Sequence, residues 1–333
     1  VQSTQILQSI ASPEVNQDVV RLEKAPKIAI YSPNNKQPWD DAVTLALAYA
    51  EIPYEVIYDE EVLSNLLPLY DWLHLHHEDF TGQYGKFYAS FKNATWYKDQ
   101  KRDYEILAKK LGYEKVSIEK LAVVKKIKEF VTGGGFLFAM CSATDSYDIA
   151  LAAEGLDICG PMFDGDAADP NAQEKLDFSK TLAFKNFSLV KNPNQYEFSS
   201  IDATQKRRLN AKIDFFTLFD FSAKWDPVPT MLCQNHMQVI KGFMGQTTAF
   251  KNEYIKSNVL IMGETKATNE ARYIHGELGN GTWTFYGGHD PEDYQHKVGD
   301  PKTDLSLHPN SAGYRLILNN ILFPAAKKKK LKT

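Results

Sequence analysis

A short apolar run between three glycines and a polar stretch constrains this chain more than anything else in it. Gly133 to Gly135 are followed by Phe136-Leu-Phe-Ala-Met140, then Cys141, and then Ser142, Thr144, Asp145 and Ser146. An apolar run so bounded is too short for a helix and does not alternate with polar residues, so it predicts a central strand buried on both faces. Such a strand needs helices above and below it. The glycines supply the positive φ that ends the preceding helix, which places Cys141 at the carboxyl end of the strand, just before "SYDIALAAEG" restarts a helix.

The surrounding segments predict the same architecture. "KIAIYS" (27–32), "PYEVIYDEE" and "YDWLHLHHEDF" read as strands. Asp40 or Asp41 can cap a helix carrying Val43, Ala46, Leu47 and Ala50 on one face, and Ser117 can cap another with Leu121, Val124, Ile127 and Val131. "NVLIMGET" is a further strand, and "ARYIHGELGNGTWTFYGGHD" reads as a β-hairpin turning at Gly279-Asn280-Gly281 and delivering His289 at a strand end. "SAGYRLILNNILF" closes the chain with a helix. The expected fold is α/β, a flavodoxin-like, doubly wound and mostly parallel sheet. Residues 1–26 read as an N-terminal arm and 27–325 as one α/β domain. Within it, 160–257 form an irregular insertion where "TLAFKNFSLV" is a strand candidate, and 326–333 make a basic tail.

Composition excludes several function classes. A chain of 333 residues, 43% hydrophobic and 24% charged, with a net charge of -4, carries no electrostatic footprint for nucleic acid. The basic run Lys327 to Lys330 with Lys332 reads as a solvated tail. No apolar stretch approaches the ~20 residues of a membrane span. The start at Val1 rather than methionine leaves a removed signal peptide, and so the periplasm, open beside the cytoplasm. Cys141, Cys159 and Cys233 make neither a disulfide framework nor a zinc ribbon. The expected partner is a small-molecule substrate, with a protein partner or homo-oligomer also open.

In open α/β sheets, ligands bind beyond the carboxyl ends of the strands. Four polar stretches fall there: Ser32 to Asp41, His76 to Asp79, Cys141 to Asp145, and His289 to Glu292. Cys141 is flanked two residues away on each side by Ala139 and Ala143, the small residues that a tight strand-to-helix elbow needs. The amides of the following helix would lower its pKa. The alternative is a small apolar residue packed in the core. His289 can serve as base, with Asp290 or Glu292 fixing its tautomer. His76, His77 and Glu78, with Ser142 and Asp145, are expected to line the rim and bind substrate. No cofactor is required, although His76, His77 and Glu78 with His289 could hold zinc, iron or nickel. Asp164, Asp166 and Asp169 look like half a calcium loop without its glutamate and read as a solvated turn. Tyr84, Phe87, Tyr88, Trp96 and Tyr97 either pack together or cover the site.

Together these residues resemble the class I glutamine amidotransferase-like superfamily, whose flavodoxin-like sheet carries a cysteine elbow and a later His-x-Glu pair. "GGGFLFAMCSATDS", "GNGTWTFYGGHDPEDY" and "AGYRLILNNILF" are most similar to its ThuA-like branch, linked by name to trehalose utilisation, over about residues 27–155 and 258–325. Alanines replace the glycines of the usual Gly-x-Cys-x-Gly elbow, and His-x-Glu becomes His289-Asp-Pro-Glu292. The chain also resembles bacterial proteins called asparagine synthetase B, but it has no Ser-Gly-Gly-x-Asp-Ser loop for ATP, so asparagine synthesis is not expected. The resemblance implies a thiol hydrolase acting on an amide or ester, with Cys141 as nucleophile and His289 as base. ThuA-like proteins generally lack the nucleophile, which leaves a carbohydrate-related or metal-binding protein, or a non-catalytic component of an assembly, as the alternative.

Overall fold

The computed structural model describes residues 24–33, 42–204, 212–219, 237–294 and 301–325. The expected cap at Asp40 or Asp41, Cys233, the basic tail and most of the N-terminal arm lie outside the described residues.

Parallel strands need helical crossovers, and the alternation of short apolar runs with helical periods supplies them. β1 (Ile28–Tyr31), β2 (Glu55–Ile57), β3 (Trp72–Leu75) and β4 (Phe136–Met140) alternate with α1 (Ala42–Tyr49), α2 (Asp59–Leu63), α3 (Thr95–Lys110) and α4 (Val116–Gly133). α5 (Ser142–Ala152) follows β4 directly, four residues earlier than the sequence suggests, and α6 (Ala312–Leu322) closes the described chain. β5 (Phe215–Leu218), β6 (Val239–Lys241) and β7 (Phe250–Lys251) come from the insertion. β8 (Leu260–Thr265), β9 (Glu270–Leu278) and β10 (Gly281–Tyr286) complete, among the described residues, a sheet of ten strands.

The order is β2-β1-β3-β4-β10-β9-β8-β5-β6, with β7 on β9. From β2 to β10 every pair is parallel, and with β10 counted as the fifth strand this is the flavodoxin-like order. Beyond β10 the pairs are antiparallel, beginning with the expected β9–β10 hairpin. The doubly wound sheet thus carries an antiparallel wing.

β4 is buried at every residue. Leu137 and Ala139 pack with Val124, Ile127 and Val131 of α4 and Tyr147 of α5. Phe136, Phe138 and Met140 pack on the opposite face with Val43 and Leu47 of α1 and Leu316 and Ile317 of α6. Each fully buried Val, Leu, Ile, Phe or Met side chain among them stabilises the fold by about 1.5–3 kcal/mol.

Two expectations are corrected. Ser117 is not a cap: α4 begins one residue before it, and the Ser117 backbone packs against Gly82, where a Cβ would come within 2.9 Å of it. "TLAFKNFSLV" forms isolated bridges rather than a strand. Its amides at Leu182, Ala183 and Phe184 donate to the buried Asp148 carboxylate of α5 at 2.7 to 2.8 Å, so they are not free for a ladder.

Candidate functional site

The carboxyl ends of β3, β4 and β10 lie side by side, in register at Leu75↔Ala139 and Tyr286↔Met140. His76 and His77 follow β3, Cys141 follows β4, and His289 follows β10 after two glycines. The topology therefore brings together three stretches that lie far apart along the chain.

Cys141 has φ 55 and ψ -137, an unusual backbone for a residue with a side chain, and it sits at the N-cap of α5. Strain of this kind persists only where the surroundings impose it. Its N–H donates to Tyr286 O at 3.0 Å. The sulfur is buried and accepts the Gln246 N–H at 3.0 Å. Gly245 fills the space beside it: a Cβ there would lie 2.9 Å from Cys141 Sγ, 2.9 Å from His289 Cδ2 and 3.1 Å from Gly288 Cα. Sulfur and imidazole therefore both crowd the Cβ position of one glycine that nothing larger could replace. Gly288 (φ +75) lets the chain pass against Phe243, so that the His289 N–H donates to Met244 O at 2.7 Å and fixes where the ring begins.

The expected lowering of the thiol pKa is not found. Burial pushes Cys141 up to about 11, and the nearby Asp145 adds to this. The N–H groups of Thr247, Gln246 and Ser142 oppose that rise but do not overcome it, because water is excluded from the sulfur on all sides. Cys141 rests as a neutral thiol.

The remaining candidates divide. Ser142 Oγ donates to His77 O at 2.9 Å and ties the β3 end to the elbow. Asp145 lies under the site, where Thr247 Oγ1 donates to it at 3.0 Å; burial, then the Asp202 charge, hold its carboxyl well above the ordinary range. Asp290 accepts from the N–H groups of Glu292 (3.3 Å) and Asp293 (2.9 Å), so this oxygen closes a turn. Glu292 is directed to Lys241 (2.8 Å) and His308 (3.6 Å), toward a groove lined by Phe215 and Leu307. Glu78 does not join the histidines. Burial raises its carboxyl to about 7 against the pull of Lys120, with Asp59 and Asp79 adding to the rise. It belongs with a buried network in which Lys120 Nζ donates to Asp59 (2.6 Å), Tyr31 (2.9 Å) and Tyr58 (3.0 Å).

His76, His77 and His289 do converge, each offering a ring nitrogen within 4.8 Å of the others. His74, on β3 itself, is core: it stacks on Trp72, and its Nδ1 lies 3.1 Å from Phe138 O. The aromatic residues from Tyr84 to Tyr97 form a packed cluster of their own. The acidic loop is not simply solvated, since Lys115 bridges Asp157, Asp164 and Asp166, and Lys175 pairs with Asp169.

The cover over Cys141 comes from residues that carry no signal in the sequence. Gln246 Nε2 donates to Gly85 O (3.1 Å) and Tyr196 O (2.6 Å), joining two loops above the sulfur. Thr204 Oγ1 donates to Gln246 O at 3.0 Å, and the Thr248 N–H donates to Thr204 Oγ1 at 3.0 Å. In "MGQTT" only the glycine could have drawn notice.

No family model and no curated protein matches the chain. Among solved structures, the cytoplasmic protein STM3548 from Salmonella typhimurium aligns over 91% of this chain and 100% of its own, at 9% identity and a TM-score of 0.41. The cytoplasmic protein STM1381 from Salmonella typhimurium LT2 aligns over 90% and 100%, at 12% identity and 0.42. A candidate GMP synthase component from Thermoplasma acidophilum aligns over 91% and 96%, at 8% identity and 0.42. These likenesses are weak, none bears on the ThuA-like resemblance, and the chemistry has to stand on the residues of the site. No described helix is long and apolar enough to cross a membrane.

Proposed function

We propose that the chain is an amidotransferase-like thiol enzyme that transfers or hydrolyses the acyl group of an amide or ester through Cys141. The observation that carries this reading is the positive φ of Cys141 at a strand-to-helix elbow, with its sulfur and the His289 ring each 2.9 Å from the one position a Cβ at Gly245 would take. Backbone strain of this kind clusters at active sites, where the surroundings hold a reacting group in place.

The sulfur rests as a thiol, so His289 acts as a general base during attack rather than as the partner of a preformed thiolate. The Cys141 S–H bond breaks as the S–C bond forms, and the proton passes to His289. The leaving amine or alcohol takes that proton as its bond to the acyl carbon breaks. Water, deprotonated by His289, then releases the acid and restores the thiol. The N–H groups of Gln246, Thr247 and Ser142, now directed at the sulfur, are the nearest donors for a developing oxyanion. Substrate must displace the Gln246 side chain, which bridges Gly85 O and Tyr196 O, while the Gln246 backbone N–H stays in place.

Exposure of the native protein to p-nitrophenyl acetate tests this, with the thioester on Cys141 read by mass spectrometry. Acetylation of Cys141 that slows by ~100-fold or more in His289→Ala is the expected result. A native Cys141 that stays unacylated while the urea-unfolded chain reacts would refute the thiol reading.

A further inference from the structure

Base catalysis at Cys141 uses one imidazole, His289, and leaves two more beside it without a role. The His76 and His77 ring centroids are 4.4 Å apart, those of His76 and His289 4.5 Å, and those of His77 and His289 5.7 Å. Neighbours on a strand point to opposite faces, which is why adjacent histidines seldom share an ion. Here β3 ends at Leu75, so His76 and His77 lie past the ladder and both turn toward His289. Among the described residues one other cluster has comparable geometry, Asp157, Cys159 and Asp164, and the Lys115 ammonium already supplies its positive charge.

Three imidazole nitrogens with a fourth position left for water or a ligand make a donor set suited to Zn2+. Bonds of about 2.0–2.1 Å place the nitrogens of a tetrahedral site about 3.3 Å apart. Small side-chain rotations from the observed spacing, all within 4.8 Å, reach that distance. His76 and His289 are buried, so the ion would sit among groups already withdrawn from water.

We propose that His76, His77 and His289 bind one divalent transition-metal ion, Zn2+ by preference, and that its occupancy silences Cys141 by taking the imidazole that would accept the thiol proton. The binding site stands on the three histidines alone; its regulatory effect rests on the thiol reading. Metal binding and acyl transfer then compete for His289, and the thiol is active only in the metal-free protein.

The test is equilibrium dialysis of the EDTA-treated full chain against Zn2+, run for wild type, His76→Ala, His77→Ala and Cys141→Ala. Co2+ substitution would report tetrahedral coordination by its visible spectrum. One ion per wild-type chain is expected, with affinity lowered about tenfold or more in each histidine variant and binding kept in Cys141→Ala. No stoichiometric binding, binding indifferent to both histidine variants, or binding lost in Cys141→Ala would overturn the site. In parallel, acetylation of Cys141 is compared with and without Zn2+. Zinc should suppress it in wild type and lose that effect in His76→Ala; acetylation unaffected by saturating Zn2+ would overturn the regulatory half. A Cys141 inert even in the metal-free wild type defeats the thiol reading instead, while histidine-dependent binding would still establish the metal site.

Discussion

At the scale of single residues, the site depends on a glycine that performs no chemistry. Gly245 lies beside both Cys141 Sγ and His289 with φ +152, a region that side chains rarely adopt, and any Cβ there would press on both groups. Gly245→Ala is therefore expected to lower stability by about 1–3 kcal/mol, seen as a lower urea midpoint, and to abolish acylation of Cys141. Gly133→Ala, at a position with open space and no positive φ, is the control and should be neutral or mildly stabilising. Equal losses in the two variants would mean that the close approach at Gly245 is not real. The same crowding explains why Cys141 rests as a thiol. Three nearby amides favour the thiolate, but the exclusion of water costs it more than they return.

Among elements, α5 does two jobs from opposite sides. Its first residue follows the elbow, and its interior carries Asp148, whose carboxylate gathers the N–H groups of Leu182, Ala183 and Phe184 and so anchors the insertion. The same insertion supplies Tyr196 and Thr204, which hold Gln246 over the sulfur. Asp148→Ala strands three buried donors and should cost at least about 3 kcal/mol, since each unsatisfied donor costs about 1–3 kcal/mol. Hydrogen exchange would show faster exchange at residues 182–184, and the Cys141 thiol should become easier to alkylate in the folded protein. Asp148→Asn keeps one acceptor and should lose less. Unchanged exchange at these amides in Asp148→Ala would contradict the anchoring role.

At the scale of the whole molecule, the buried carboxyls give stability a pH dependence. Glu78, Asp79, Glu119, Asp145 and Asp148 are all raised by burial, Glu78 to about 7, Glu119 to about 8 and Asp148 to about 6. A raised folded pKa means the native state keeps protons that the unfolded chain releases, so stability falls as pH rises through this window. His275, held down to about 4 by burial, opposes the trend with a single proton up to its unfolded value. Lys86, lowered to about 8 by burial, reverses it at higher pH, because there the unfolded chain binds the extra proton. The melting temperature should therefore decline from about pH 5 toward about pH 8, and Glu119→Gln should make that decline shallower. A wild-type profile that stays flat or climbs over the same range contradicts the burial of these groups.

The parallel half of the sheet, the β9–β10 hairpin and the position of Cys141 and His289 at strand ends are legible in the order of residues along the chain. Hydrophobic period and turn chemistry are local properties, so "FLFAM" between glycines and a polar run reads as a buried strand wherever it stands. Local pattern also misled: Ser117 looks like a cap and "TLAFKNFSLV" like a strand until packing at Gly82 and the Asp148 carboxylate claim their backbones. Which side chains meet depends on the packing of the whole chain. It buried Glu78 within the field of Lys120, paired Glu292 with Lys241, brought His77 beside His289, and set the Gln246 N–H against the sulfur. It also reversed the expected direction of the Cys141 pKa. Burial and charge pairing are sums over residues far apart in the chain, and no local window of sequence contains them.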